Sequence, residues 1–198
     1  MEEENMRVKV MLLGPPGVGK TAIIYRFMYG QFHTDYEATV GIDYFTRHYT
    51  QGDKTTVVQI FDTAGQERFS SLVSAYMRDA NIAVVAFDLS DAGSLTEGVR
   101  QIEAFRDSHG TDVPIILVGN KLDLNRALTK EEVRDCAKLQ NVRCFETSAA
   151  TGEGIEELFT CVAEIAQKPN VKLNPSPSVR LVSGELPKEE QKKGCCFS

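Results

Sequence analysis

Eight residues near the amino terminus have the types and spacing of a loop that binds phosphate. Segment 14–21 reads Gly-Pro-Pro-Gly-Val-Gly-Lys-Thr and lies between a predicted strand and a predicted helix. Its small residues let backbone N–H groups surround a phosphate, while Lys20 can reach the terminal phosphates and the Thr21 hydroxyl can bind Mg²⁺. The pattern predicts nucleotide contacts by a continuous set of residues: Gly17, Val18, Gly19, Lys20, Thr21 and Ala22. A glycine-rich turn without a ligand is the simpler alternative.

A second motif indicates which base the nucleotide carries. Asn120, Lys121 and Asp123 come directly after another predicted strand. The Asp123 carboxylate can accept from both the N1–H and the exocyclic amine of guanine, a pair of donors that adenine lacks. Asn120 and Lys121 would brace this site. The alternatives are an ordinary loop in which Asp123 caps a turn, and a P-loop kinase or ATPase, against which the Asn-Lys-x-Asp pattern argues.

A third group of residues, at the end of a strand, has the types needed for Mg²⁺ binding and hydrolysis. Asp62 can hold Mg²⁺ through water, Gly65 can offer its N–H to a γ-phosphate, and Gln66 can orient an attacking water. The Thr39 hydroxyl can complete the Mg²⁺ site when a third phosphate is present, although a lone threonine in a loop is usually just solvated. We predict that Gln66 and Lys20 are catalytic and that the metal is held by Thr21, Thr39 and Asp62.

These motifs lie at the ends of elements that alternate between strand and helix. The hydrophobic pattern predicts strands over 7–13, 43–50, 56–62, 82–88, 114–119 and 142–146. It predicts helices over 20–29, 92–108, 130–139 and 154–167. Such alternation indicates an α/β fold with a mostly parallel sheet covered on both faces. The link 51–54 is too short for a crossover, so one strand should run antiparallel to the rest.

Composition limits the chain to one domain and excludes several classes of protein. The 198 residues are 42% apolar and 25% charged, as in an ordinary globular protein. No apolar run approaches the roughly 20 residues of a membrane span, and the acidic start does not fit a secretory signal. We expect a disordered segment 1–5, a domain over 6–167 and a flexible tail over 168–198, in a cytosolic protein. Three cysteines are expected to be buried thiols: Cys136, Cys144 and Cys161.

Charge is divided unevenly between the domain and the tail. The formal net charge is −6, and the tail from Lys168 onward carries six basic and three acidic residues, which leaves the tail at +3 and the domain at −9. An acidic domain disfavours nucleic acid as a partner, whereas a mildly basic tail favours an anionic membrane surface.

Together the motifs resemble those of a Ras-superfamily small GTPase, and specifically those of the Rab family. The resemblance covers about residues 6–167 and the last few residues. The Rab resemblance depends on Val-Gly-Ile-Asp-Tyr at 40–44, on segment 60–69 and on Ala-Tyr-Met-Arg-Asp-Ala at 75–80. Segments 26–29, 38–43 and 76–79 are most similar to the Rab branch that serves the Golgi.

The resemblance implies a P-loop G domain with a six-stranded sheet and five helices, which binds Mg²⁺ and GTP or GDP. Phe32 would stack on the guanine. The backbone N–H groups of Ser148 and Ala149 would meet the guanine O6 atom, and Ala150 would line the same pocket. Ala150 stands where a lysine usually ends the Ser-Ala-Lys motif of the family.

The resemblance also implies how such a protein is regulated. Thr39 would lie in switch I and residues 66–76 in switch II, and effectors would read an aromatic triad of Tyr44, Phe61 and Tyr76. A core position is the alternative for Phe61. The expected partners are a guanine-nucleotide exchange factor, a GTPase-activating protein, a GDP-dissociation inhibitor or escort protein, and effectors, all acting on a monomer that hydrolyses GTP slowly by itself.

Pro16 gives the main alternative to a cycling enzyme. It stands where Ras-like proteins carry glycine and many Rabs carry serine, next to the path of an activator's arginine. A proline removes only its own N–H, so nucleotide binding should survive. The alternative function is therefore a recruitment module that stays loaded with GTP and does not hydrolyse it.

Two adjacent cysteines near the end of the sequence predict lipid attachment. The resemblance implies geranylgeranyl groups on both Cys195 and Cys196, and two lipid chains give stable anchoring where one is marginal. A single prenyl group on Cys195 in a C-a-a-X motif and unmodified thiols are the alternatives. The implied location is the cytoplasmic face of a Golgi or endosomal membrane, with a cytosolic pool.

Overall fold

A computed structural model describes residues 6–34, 42–51, 54–63 and 79–168 of the chain. Six strands are present in them: β1 (Met6–Leu13), β2 (Ile42–Gln51), β3 (Lys54–Thr63), β4 (Ile82–Asp88), β5 (Ile115–Asn120) and β6 (Arg143–Glu146). The same residues contain four helices: α1 (Lys20–Tyr29), α2 (Ala92–His109), α3 (Lys130–Leu139) and α4 (Ile155–Ala166). None of these helices is long and apolar enough to span a membrane.

The six strands form one sheet in the order β2-β3-β1-β4-β5-β6. The β2–β3 pair is antiparallel, with Ile42 opposite Thr63 and Gln51 opposite Lys54, and every other pair is parallel. The prediction of a mostly parallel sheet with one antiparallel strand is therefore confirmed. The fifth helix that the family resemblance implies is not among the four within the described residues, and segment 64–78 lies outside them.

Helices cover both faces of the sheet and give the domain two hydrophobic clusters. Alternate residues of β4 belong to different clusters, because successive side chains of a strand point to opposite faces of the sheet. One cluster contains Ile82 and Val84 together with residues of α1 and α4, and the Phe27 and Phe159 rings stack across it at 3.8 Å between centroids. The other cluster contains Ala83 and Val85 with residues of α2 and α3. The result is the expected three-layer α/β/α arrangement.

Several element ends differ from the predicted ones by one or two residues, for local reasons. The predicted start of β6 at Val142 was wrong, because the Val142 N–H donates to the Ala137 carbonyl at 3.0 Å and so completes the end of α3. The predicted start of β5 at Pro114 was wrong by one residue, since the ladder with β4 begins at Ile115. Helix α4 begins at Ile155 because Gly154 before it has a φ of 72°, outside the helical range.

The prediction of three buried thiols holds for one cysteine and only partly for two. Cys161 is buried, whereas Cys136 and Cys144 are half-buried at the second hydrophobic cluster, and all three are free thiols. Burial raises the pKa of the Cys144 thiol to about 12, which keeps this cysteine protonated and unreactive.

Candidate functional site

The loops that follow four parallel strands meet at one edge of the sheet. Gly14 follows β1, Asp62 lies near the end of β3, Asn120 ends β5 and Thr147 follows β6. The carboxyl ends of parallel strands lie at the same edge of the sheet. The strand order changes direction at β1, because β3 lies on one side of it and β4 on the other. Open α/β sheets bind their ligands at such a point.

The glycines at 14 and 19 are required by close contacts of the loop with the sheet. Gly14 has a φ of 140°, and a Cβ atom there would lie 2.2 Å from the Ala86 carbonyl oxygen. Gly19 has a φ of 93°, and its Cβ would lie 2.5 Å from Asn120 Nδ2. Only glycine allows both the backbone conformation and the approach. The loop is therefore fixed against β4 on one side and Asn120 on the other.

Lys20 places a buried cation at the start of α1. Its Nζ donates to the carbonyl oxygens of Gly14 at 2.8 Å and Pro15 at 2.9 Å. Burial lowers the pKa of the Lys20 ammonium to about 8, and the nearby Asp62 opposes this shift. The first turn of α1 has no acidic residue, and its N-cap Gly19 has no side chain to cap the free N–H groups. A cation beside a helix N-terminus of this kind favours a phosphate.

Thr21 and Asp62 meet next to Lys20, as the predicted metal site requires. The Thr21 hydroxyl donates to Asp62 Oδ2 at 2.6 Å, and the Asp62 side chain is completely buried. A hydroxyl and a carboxylate oxygen are the hard ligands that Mg²⁺ prefers, so this pair fits the ion. The other residues predicted for the γ-phosphate and the metal lie outside the described residues: Thr39, Gly65 and Gln66.

Asn120 joins the phosphate loop to the loop after β6. Its Nδ2 donates to the Val18 carbonyl at 2.9 Å, and its Oδ1 accepts from the Ala149 N–H at 3.1 Å and the Thr147 hydroxyl at 3.3 Å. The side chain is almost fully buried. A short amide with both donors and acceptors can make all three contacts, which explains how one residue braces two loops.

Lys121 and Asp123 extend from this junction in different directions. Lys121 has a φ of 65°, and its ammonium lies 2.6 Å from Asp88 Oδ2. Burial alone would raise the pKa of the Asp88 carboxyl, but hydrogen bonds from Lys121 and Ser90 outweigh it and hold the pKa below its ordinary value. Asp123 is exposed, and its Oδ1 accepts from the Ser148 hydroxyl. The predicted carboxylate for guanine and the loop predicted for the guanine O6 atom therefore lie side by side.

Both backbone N–H groups predicted for the guanine O6 atom already have acceptors in the protein. The Ser148 N–H donates to the Glu153 carbonyl at 2.9 Å, and the Ala149 N–H donates to Asn120 Oδ1. A base would have to share or replace these contacts. Phe32, on the coil after α1, is 40% exposed, so its ring has a face available for stacking.

Sequence reasoning missed two arginines that hold the loops of this site. Arg26 of α1 donates to the carbonyl oxygens of Ala149 and Ala150. Arg126 makes a bidentate pair with Glu146, at 2.7 and 2.8 Å, and so links the loop after β5 to the end of β6. Neither contact has a local pattern, because each joins residues that are distant in the sequence. In the sequence, Arg26 contributes only to the resemblance of segment 26–29 to one Rab branch.

An exposed aromatic pair lies on the β2–β3 ribbon. Tyr44 is 64% exposed and its ring stacks on that of Phe61 at 5.9 Å between centroids. Phe61 is half-buried and packs against the second hydrophobic cluster, so it combines a core contact with a contact to the exposed Tyr44. The third member of the expected triad, Tyr76, lies outside the described residues, as do Cys195 and Cys196.

Comparison with known protein families gives a match that covers this whole arrangement. A family model described as the Ras family matches residues 9–168. The matched range includes the phosphate loop, the Thr21–Asp62 pair, the Asn-Lys-x-Asp motif and the loop after β6. It ends where the described residues end, at Lys168.

Proposed function

Because the chain belongs to the Ras family of small GTPases, we propose that it is a switch of Rab type, which recruits effectors to a membrane of vesicular traffic. Members of this family bind GTP and GDP with Mg²⁺ and interact with exchange factors, GTPase-activating proteins and effectors. The Rab assignment is supported by segments 40–44, 60–69 and 75–80, and the Golgi is the membrane that the sequence favours.

The observation that carries the guanine-nucleotide function is the junction at Asn120. This side chain ties Val18 of the phosphate loop to Ala149, beside which Asp123 and Ser148 are in contact. One nucleotide lying across the junction could therefore place its phosphates at Lys20 and its base at Asp123. Carboxylate recognition of the guanine edge then selects GTP and GDP over ATP.

Hydrolysis requires charge stabilisation and an oriented water. The Lys20 ammonium has three N–H donors, of which two are held by the Gly14 and Pro15 carbonyls. This leaves the third for a phosphate oxygen, where it stabilises charge that develops in the transition state. Bound Mg²⁺ supplies further neutralisation of that charge. We assign to Gln66 the orientation of the attacking water and to Thr39 and Gly65 the contacts that depend on the γ-phosphate.

Loss of the γ-phosphate is the proposed signal. Segments that it orders around Thr39 and Gly65 would be released after hydrolysis, and effectors that read Tyr44 and Phe61 would dissociate. The stacked, exposed Tyr44 ring supports this role, because a large aromatic surface with one free face is a typical binding hot spot. Rab-type activators can supply both an arginine and a glutamine, which would make Gln66 less decisive.

The tail completes the proposed switch. A GDP-dissociation inhibitor or escort protein would handle the lipidated Cys195 and Cys196, and the basic tail would add attraction to the anionic cytoplasmic face of the membrane. A cytosolic pool would exist as the complex with the inhibitor.

Nucleotide binding followed by single-turnover hydrolysis tests this function. The purified chain with Mg²⁺ should exchange GDP and GTP but not ATP, and it should hydrolyse bound GTP slowly. Gln66→Leu should slow hydrolysis without weakening binding. Equal binding of ATP would reject the guanine assignment and favour a P-loop kinase or ATPase.

The same measurement separates the cycling switch from a permanently loaded module. Pro16 is exposed at the phosphate loop, and Pro16→Gly is the variant that tests its effect. Hydrolysis by the parent chain supports the switch. GTP that stays intact in the parent but is hydrolysed by Pro16→Gly would show that this proline makes the chain a non-hydrolysing recruitment module.

A further inference from the structure

We propose that Arg26 is a positioning residue that sets the lifetime of the bound nucleotide, by clamping the loop after β6 to helix α1. This inference rests on the proposed guanine-nucleotide function. The guanidinium makes three hydrogen bonds to backbone carbonyls: Nε donates to Ala149 at 2.7 Å, Nη1 donates to Gly30 at 2.7 Å and Nη2 donates to Ala150.

The three carbonyls belong to both sides of the proposed base pocket. Ala149 and Ala150 lie in the loop that also contains Ser148, the partner of Asp123. Gly30 directly follows α1 and lies two residues before Phe32, whose ring is proposed to stack on the guanine. Arg26 therefore holds two walls of the pocket at a fixed separation: the loop of Ala149 and Ala150 on one side, and the segment from Gly30 to Phe32 on the other. The base would bind between them.

Helix α1 connects this clamp to the phosphate site. Arg26 lies six residues after Lys20, which corresponds to about 9 Å along an α-helix. Phe27 next to it stacks on Phe159, so this part of the helix is fixed in the core. Helix α1 thus has the proposed phosphate contacts at its start and the clamp on the base loop further along. Together with Asn120, which joins the two loops directly, the helix fixes the distance between the base and phosphate sites.

The part of the loop that would face the base has only short side chains, those of Ser148, Ala149 and Ala150, so contacts such as those of Arg26 and Asn120 must hold it. Ala150 carries a methyl group where the family usually has a lysine, so it cannot pack over a base. Gly152 lies against the arginine as well, since a Cβ atom there would be 3.6 Å from Arg26 Cδ. The loop's remaining contacts include the Gly152 N–H to the Ser148 carbonyl at 2.7 Å and the Thr151 N–H to the Ser148 hydroxyl at 3.0 Å.

Only an arginine can make this set of contacts. Its planar fork presents several N–H donors at fixed angles, whereas a lysine ammonium is a single point that cannot reach three separated carbonyls. Charge-assisted bonds of this kind are stronger than neutral ones, and the two to Ala149 and Ala150 are partly buried. Arg26→Lys should therefore keep part of the clamp and Arg26→Ala should remove it.

The test is the release rate of a fluorescent GDP from the full chain with Mg²⁺, measured for the parent, Arg26→Ala and Arg26→Lys. Loss of the charge-assisted bonds should speed release by about tenfold to a hundredfold in Arg26→Ala. Arg26→Lys should give an intermediate rate. In the proposed binding mode the loop meets the base and not the phosphates, so GDP and GTP release should accelerate by the same factor.

Arg47 provides the matched control. It is also half-buried and also contacts α1, through Nη1 to the Phe27 carbonyl at 3.3 Å and over the Phe27 ring at 4.7 Å. Within the described part of the chain, however, it does not contact the base loop. Arg47→Ala should lower thermal stability with little effect on release. If Arg47→Ala accelerates release as much as Arg26→Ala, general loosening of α1 explains both and the clamp is rejected.

Amide hydrogen exchange separates a failed clamp from a failed function. In Arg26→Ala the Thr151 and Gly152 amides should exchange faster than in the parent, and in Arg47→Ala they should not. Unchanged exchange together with unchanged release rejects the inference. A parent chain that binds no guanine nucleotide rejects the proposed function, while the exchange data still decide whether Arg26 holds the loop.

Discussion

Asp123 is the residue whose chemistry should decide the base. Asp123→Asn keeps an acceptor for the Ser148 hydroxyl, so the local contact can persist. The amide offers one acceptor and one donor, however, which match the N1–H and the 2-carbonyl of xanthine instead of the two donors of guanine. We expect the affinity for GDP to fall about a hundredfold or more, and xanthosine diphosphate to bind better than GDP. Competition against a fluorescent nucleotide measures both.

Asp107→Asn is the control for that experiment, because Asp107 is an exposed aspartate on α2, away from the site. Asp107→Asn should still bind GDP better than xanthosine diphosphate, as expected of the parent chain. Retention of the GDP preference by Asp123→Asn would contradict the assigned role of this carboxylate.

The Arg126–Glu146 pair predicts a pH dependence of stability. The bidentate hydrogen bonds from Arg126 lower the pKa of the Glu146 carboxyl below its usual 4.5. In the unfolded chain this carboxyl therefore takes up its proton at a higher pH than in the folded chain. The stability that it contributes is complete above the unfolded pKa and is lost as pH falls through the lower, folded pKa.

Urea unfolding of the parent and Glu146→Gln at several pH values measures this contribution. At pH 7 the variant should be less stable by about 1–2 kcal/mol, because the pair is partly shielded from water. The difference in unfolding free energy between the parent and Glu146→Gln should shrink steadily below pH 4.5. Glu157→Gln, at an exposed position of α4, is the control; a difference between parent and Glu146→Gln that does not change with pH would contradict the ionic origin.

At the residue scale, the sequence allows a role to be proposed when the chemistry of that role is local. Lys20, Thr21 and Asp123 were assigned from motifs in which neighbouring residues define the task. The roles of Arg26 and Glu146 could not be assigned in this way. Their partners are 123 and 20 residues away in the sequence, and the contacts depend on the order of the strands in the sheet. The sequence patterns predicted parallel strands but not the order β2-β3-β1-β4-β5-β6, and that order determines which loops meet.

At the scale of elements, the boundaries that could be predicted are those where side chains and backbone agree. Helix α1 begins and ends as predicted because Gly19 and Gly30, at its two ends, have φ values of 93° and 67°. The predicted start of β6 was wrong because an apolar Val142 looks like a strand residue, whereas its N–H completes the end of α3. A hydrogen bond between two elements leaves no trace in the hydrophobic pattern of either one.

Two glycines at helix ends have similar backbone conformations but different surroundings. Gly154 before α4 and Gly30 after α1 have similar φ values of 72° and 67°. A Cβ atom at Gly154 would lie 2.2 Å from the Glu146 carbonyl oxygen, whereas nothing lies within 4 Å at Gly30. Gly30→Ala should therefore cost only the roughly 1–2 kcal/mol of a left-handed conformation. Gly154→Ala adds a backbone clash and should cost about 1–3 kcal/mol more.

Thermal unfolding compares the two variants directly. For a domain of this size, each kcal/mol lowers the melting temperature by roughly 2–4 °C. Gly154→Ala should therefore melt clearly below Gly30→Ala. Equal melting temperatures would mean that α4 can shift away from the end of β6 at little cost, and that the loop between them is less constrained than the structure indicates.

At the scale of the whole molecule, the proposed function gives the domain and the tail separable tasks. The proposed nucleotide site lies within residues 9–168, which the family match covers, and the proposed lipid site lies about thirty residues beyond that range, in a segment of opposite net charge. Changes to the tail should therefore alter membrane binding without changing GDP release or GTP hydrolysis. If lipids are attached as proposed, their number sets how strongly the membrane holds the domain.

Single and double serine substitutions at Cys195 and Cys196 distinguish the possible anchors. With two geranylgeranyl groups, either single variant keeps one chain and binds lipid vesicles only marginally, because one chain is insufficient for stable anchoring. With a single prenyl group in a C-a-a-X motif, Cys196→Ser binds like the parent and only Cys195→Ser loses binding. Intact mass of protein from eukaryotic cells counts the lipids, and vesicle sedimentation measures the anchoring. We expect two lipids, weakened binding in both single variants and none in the double variant. An unmodified parent mass would show that these are free thiols and would remove the membrane anchor from the proposed function.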